Sequence, residues 1–194
     1  MTTTLPLTLR LAEPDRASLL THFLALAPED RRLRFGASVG DESIRAYIGR
    51  LDFGRDGLFA VRDAEGGLIA VVHVAIGDDT AELGLSVLPA YREEGNGGAL
   101  FARAVDFLRN RGIGEVHVQC LAENAAMRHL ASRHGMRISS QGGESEGRLV
   151  LRAPTSESYF REWLHDQQAA AIEVMRRNAR VARMLWSLYP PVKS

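Results

Sequence analysis

YREEGNGGAL, residues 91–100, puts three glycines into four positions just ahead of an apolar run. The run Leu100, Phe101, Ala104, Val105, Phe107 and Leu108 recurs at helical spacing, so the loop opens a helix. The stretch before it, Thr80 to Val87, alternates like a strand and stops at Pro89. A strand, a glycine turn and a helix start together form a phosphate cradle. The first helical turn leaves backbone N–H groups unpaired, and its dipole favours negative charge. Glycines keep Cβ atoms out of the way. Glu93 and Glu94 are compatible with that role only if their side chains face solvent.

Working outward, Leu5 to Leu11 reads as a first strand, and Pro14-Asp15 opens a helix through Leu24. Pro28 to Phe35 begins a second helix, and Asp41 caps a third carrying Ile44, Tyr47, Ile48 and Leu51. Gly57–Arg62 and Leu68–Ile76 are strands joined by a glycine-containing hairpin. Glu115 to Leu121 alternates Val116, Val118 and Cys120 against His117 and Gln119. It lies between two helices, which predicts a parallel neighbour. Asn124 to His134 is a helix closed by Gly135; Met136–Ser140 and Arg148–Arg152 are the last strands. Pro154 marks a boundary, dividing a domain of residues 1–153 from an extension of residues 154–194. Ser156 to Leu188 reads as one long helix. Phe160, Leu164, Gln167, Ala171, Val174, Asn178, Val181, Leu185 and Leu188 form a heptad seam on it, which predicts self-association as a homodimer. Arg176, Arg177, Arg180 and Arg183 give its end a solvated basic face.

The 194 residues carry zero formal net charge, which gives no general attraction to nucleic acid or to a membrane surface. Cys120 is the only cysteine, so an intrachain disulfide is impossible, and the six histidines show no metal-ligand spacing. Arg10 interrupts the N-terminal apolar run, unlike a secretory signal, and no stretch reaches the ~18 apolar residues of a membrane span. A soluble cytoplasmic protein is the expectation.

A lysine-bearing P-loop is excluded, because Ala99 and Leu100 follow the glycines. A dinucleotide fingerprint would need a small residue at position 100 and an early strand, and has neither. Residues Ala81 to Leu100 instead resemble the acyl-CoA core of the GCN5-related N-acetyltransferases (GNAT). Arg92, Gly95 and Gly97 match that family's Arg/Gln-x-x-Gly-x-Gly/Ala pattern. The run Asn124 to Met136 resembles the family's second segment. The resemblance spans Leu7 to Leu151, about three quarters of the chain. It implies an α/β (α+β) fold, with a mixed, mostly antiparallel sheet and a splayed parallel strand pair. It also implies acetyl-CoA as donor and an amine as acceptor, either a small molecule or a protein lysine. The cofactor would meet Leu85, Ser86, Val87, Arg92, Glu93, Glu94, Gly95, Asn96, Gly97, Gly98 and Asn124.

Amine acylation needs a base for the ammonium proton and benefits from an acid for the departing thiol. Glu82, on the strand entering the loop, is the candidate base. The family's usual acid, a tyrosine, is replaced here by Ala131. Nearby, His129 and Ser132 read as ordinary surface or core residues, His134 as a helix-end cation, and His73 and His117 as structural histidines. Arg31, Arg32, Arg34 and Phe35 lie where an acceptor pocket is usually built. Residues Glu29 to Phe35 are similar to the start of the transferase domain in some bacterial protein-lysine acetylating enzymes. A solvated helix with Leu33 and Phe35 in the core explains that run equally well. The competing reading of the whole chain is a catalytically silent acyl-CoA sensor, favoured by Ala131 and the Glu93-Glu94 pair.

Overall fold

The computed structural model describes residues 6–188; inside the last helix the side chains of residues 177, 180, 182 and 185–188, hence the predicted seam positions Leu185 and Leu188 and the cations Arg177 and Arg180, lie outside the description, as does Leu5. Seven strands form one sheet: β1 Leu9–Arg10, β2 Gly57–Arg62, β3 Leu68–Ile76, β4 Thr80–Val87, β5 Glu115–Leu121, β6 Arg137–Gln141 and β7 Glu144–Val150. Their order is β1-β2-β3-β4-β5-β7-β6. Every pairing is antiparallel except β4 with β5. Six helices flank it: α1 Arg16–Leu24, α2 Pro28–Phe35, α3 Asp41–Gly49, α4 Asn96–Arg109, α5 Ala125–Arg133 and α6 Ser156–Leu188.

The sheet has a core on each face. Side chains of β2–β5 alternate, so Phe59, Val72, Leu83 and Val116 meet α4 and α5. Leu58, Ala60 and Val71 meet Leu19, Phe23, Ile44 and Ile48 of α1 and α3. Gly57 brings strand and helix together: a Cβ there would stand 2.6 Å from a Phe107 ring carbon.

One polar group is sealed in the second core. His22 is 2% exposed. Its Nδ1–H donates to the Leu68 carbonyl at 2.9 Å, and its Nε2 accepts from Ser86 Oγ at 2.8 Å. Burial lowers its pKa to about 4; the Leu68 bond opposes the shift, and the Arg34 charge adds to it. Unfolded, the ring protonates near pH 6.5. Between these values the unfolded chain binds more protons, so stability must fall as pH drops from about 6.5 to about 4. The full loss is about 3 kcal/mol. Urea midpoints followed across this range should show that slope, and His22→Gln should flatten it.

Three elements differ from the sequence expectation. β1 is only Leu9–Arg10, paired with Ala60 and Phe59. Asp41 is the first residue of α3, after an N-cap at Gly40; its carboxylate meets Arg31 Nη1 at 2.7 Å instead of capping. The last strand starts at Glu144, not Arg148, because the hairpin turn is only Gly142-Gly143, both at positive φ. Gly147 falls inside that strand, where its missing Cβ admits the Met136 sulfur, 3.2 Å from where that atom would stand.

α6 packs on α4 and β1 with an inverted face. Its inward side is polar: Ser158 and Glu162 bond Asn110, Arg161 bonds Asp106, and Asp166 pairs with Arg103. The seam residues Phe160, Leu164, Val174 and Val181 face outward and are exposed. The heptad spacing is correct, but the domain does not bury it.

Candidate active site

The parallel pair holds only over Thr80↔Glu115, Ala81↔Val116 and Glu82↔His117. Beyond Glu82 the two strands diverge, β4 running on to Val87 and β5 to Leu121. Backbone groups facing that gap have no strand partner, so they are available to a ligand. The gap opens into a cleft of about 670 Å³. Its walls include Glu82, Gly84 and Leu85 of β4, Gln119 and Cys120 of β5, and Glu144 and Glu146 of β7. Leu33, Arg34 and Phe35 of α2 and Asn124 complete one side.

α2 is tied to both flanks of the gap. On the β4 side Asp30 Oδ1 accepts from Arg92 Nη2 at 2.6 Å. On the β5 side Arg32 pairs with Glu123, and Asn124 Nδ2 donates to the Leu33 carbonyl at 3.3 Å.

Of the residues expected at the cofactor, Leu85 and Asn124 line the cleft with Glu82, whereas Ser86, Val87 and the 92–98 loop do not. Ser86 turns its hydroxyl to His22, leaving only its backbone for a ligand. The Val87 carbonyl accepts from Arg92 Nε at 3.2 Å, so Arg92 braces the strand. Asn124 also caps α5, its Oδ1 accepting from Met127 N.

The loop itself suits a pyrophosphate. Gly95, the N-cap of α4, is left-handed at φ 84° and offers no side-chain cap. The first amides of α4 are therefore bare. A Cβ at Gly97 would meet Leu130 at 3.5 Å, and one at Gly98 would meet His134 Nε2 at 3.8 Å. Glu93 and Glu94 are exposed, as the cradle requires. Glu93 takes φ 64°, and Glu94 lies 3.4 Å from Asn96 Nδ2, whose main bond is to the Tyr91 carbonyl.

Glu82 is exposed on the cleft side of β4. His117 is its register partner on β5. Here its Nδ1 lies 2.9 Å from Glu146 Oε1 and its Nε2 2.7 Å from Glu115 Oε1. The histidine is thus held by two carboxylates, one strand from Glu82; the period-two pattern of β5 hid its neighbour on β7. His73 is bonded to Tyr47 and Asp56, and its pKa is lowered mainly by burial. His134 is the C-cap of α5, but its surroundings disfavour the cation. Its ring stacks on Phe101 at 4.4 Å, and burial, then Arg133, lower its pKa.

Ala131 is buried in the core between α5 and the sheet, so the position offers no acid to the cleft. His129 and Ser132 are exposed on α5, and neither belongs to the cleft walls. Among the described residues no cluster of His, Cys, Asp and Glu could hold a metal, and no helix is long and apolar enough to cross a membrane.

The same architecture recurs in solved structures. The GNAT domain of S. lividans PAT superposes with TM-score 0.64 at 21% identity, over 74% of this chain and 89% of that one. A phosphinothricin acetyltransferase from Sinorhizobium meliloti, solved with AcCoA, gives 0.62 at 12% identity over 79% and 95%. Spermidine N-acetyltransferase from Vibrio cholerae, solved with CoA and spermine, gives 0.58 at 18% over 74% and 94%. These identities establish the fold alone. No protein of curated function matches the sequence. The acetyltransferase (GNAT) family pattern matches residues 22–136, more than half of the chain, across the glycine loop, the splayed pair and the second segment. The chain therefore belongs to the GNAT acetyltransferase family.

Proposed function

We propose that the protein is an N-acetyltransferase that passes an acetyl group from acetyl-CoA directly to a primary amine, with Glu82 as base. The observation that carries this reading is the divergence of β4 and β5 just beyond Glu82, which sets a carboxylate at the head of an open cleft. Acetyl-CoA, when bound, supplies the activated thioester. The amides of Asn96, Gly97 and Gly98 would hold its pyrophosphate, and the edge of β4 beyond Glu82, which has no strand partner, its arm. Glu82 would take the ammonium proton and pass it to water. Ala131 supplies no acid, so the thiol would leave as thiolate and protonate in solvent.

Release of free CoA from acetyl-CoA over an amine library tests the reading. Amine-dependent release supports it. Acetyl-CoA binding by calorimetry without release to any amine would favour the silent sensor instead.

Residues 1–153 would form the transferase and residues 154–194 a dimerising extension. The outward seam of α6 supports a homodimer through that helix. Sedimentation should give a dimer for the full chain and a monomer for Phe160→Glu/Val174→Glu. A wild-type monomer would remove the idea.

A further inference from the structure

Arg34 is the one basic side chain in the cleft walls, against three carboxylates, Glu82, Glu144 and Glu146. Its guanidinium lies flat on β4 at Gly84, where any Cβ would overlap it. Three rings, Phe23, Phe35 and Tyr47, surround it at 5.0–5.8 Å from their centroids. Nη2 donates to Tyr47 Oη at 3.1 Å; no other hydrogen bond and no ion pair is made by Arg34 among the described residues. Nε is buried and without a partner. The titratable groups Tyr47, His22 and His73 lie around it, and the carboxylates whose charge reaches Tyr47 and His73, Asp56 and Glu82, form no ion pair with Arg34. Burial raises the pKa of Tyr47 and lowers those of His22 and His73, which disfavours the charged form of each. Asp56 is engaged by His73 on the far side.

A cation held this way in a half-desolvated wall is costly without a counter-anion. Its planar fork suits a carboxylate. Gly84 and Glu82 point to the same face of β4, two residues or about 6.6 Å apart. That spacing fits an ammonium and a carboxylate separated by a few atoms. The charge layout, anions on one side and a lone cation on the other, is that of a zwitterion's complement.

We propose that Arg34, seated on Gly84 and backed by Tyr47, binds the carboxylate of an amino-acid acceptor whose amine lies at Glu82. The inference rests on the acetyltransferase reading above and narrows its acceptor.

The test compares CoA release with acetyl-CoA for matched pairs: leucine against isoamylamine, phenylalanine against phenethylamine, lysine against cadaverine. Leucinamide serves as the uncharged mimic. The full-length wild type should favour each amino acid by about thirtyfold or more in kcat/KM. In Arg34→Gln that ratio should collapse toward one, and Arg34→Lys should restore part of it. Gly84→Ala, which displaces the guanidinium without removing its charge, should also reduce the ratio. A wild-type ratio at or below one overturns the proposal, as does a ratio unchanged by Arg34→Gln. So does a preference for succinyl-CoA over acetyl-CoA that Arg34→Gln abolishes, which would put the carboxylate on the donor. Calorimetry of the same pairs on the CoA-loaded protein separates this from failure of the transferase reading. Without turnover, tighter amino-acid binding lost in Arg34→Gln still supports the subsite, and equal binding defeats it.

Discussion

Glu82→Gln should lower kcat for amine acetylation about a hundredfold near neutral pH, while acetyl-CoA binds as before. A positioned general base contributes roughly 10²–10⁴ to such a step. Glutamine keeps the shape and the acceptor oxygen but cannot take a proton. The residual rate should then follow the fraction of amine already neutral, rising tenfold per pH unit below the amine's own pKa. Steady-state profiles of both proteins with one amine decide it. A profile for Glu82→Gln that overlays the wild type at every pH would remove Glu82 from proton transfer.

The largest expected effect on stability lies away from the cleft. Arg103 is 2% exposed, its guanidinium 4.9 Å from the Phe59 ring centroid, and among the described residues its ion-pair partners lie on α6 alone. Asp166 pairs with it directly, and Glu162 lies 3.9 Å away. Nε and Nη1 are buried with no hydrogen bond, so these two carboxylates carry the compensation. Glu162→Ala/Asp166→Ala should cost about 3 kcal/mol, near the lower end for an orphaned buried charge because Asp166 is half exposed. Melting should fall by about 6–12 °C. Adding Arg103→Met removes the stranded charge, so the triple variant should recover most of the loss. If it melts with the double variant, simple loss of helix packing is the cause.

The sequence exposed most of the fold where apolar alternation was regular. β2 to β5 and α2 stand where their patterns put them. It was silent where the pattern was polar. Glu144-Ser145-Glu146-Gly147 lacks the alternation of a strand, and only pairing with β5 and β6 makes it one. In α6 the seam was legible but its direction was not, because the buried cation of α4 draws the polar face inward. Within the site, Glu82 and the glycine loop are local signals. His117 meets Glu146 across 29 residues, and Arg34 rests on Gly84 from another layer of the fold. Such contacts arise only when the sheet is assembled.

The tie between Arg103 and Asp166 also orders events in time. The ribosome makes Arg103 63 residues before Asp166. At about 5–20 residues per second, that is an interval of roughly 3–13 s. In its last part, once Val150 has been made, β1–β7 and α1–α5 can all be present while α4 still carries an unanswered charge. The nascent domain is thus left provisional until α6 arrives, and a chain cut short before α6 would be the form most open to proteolysis.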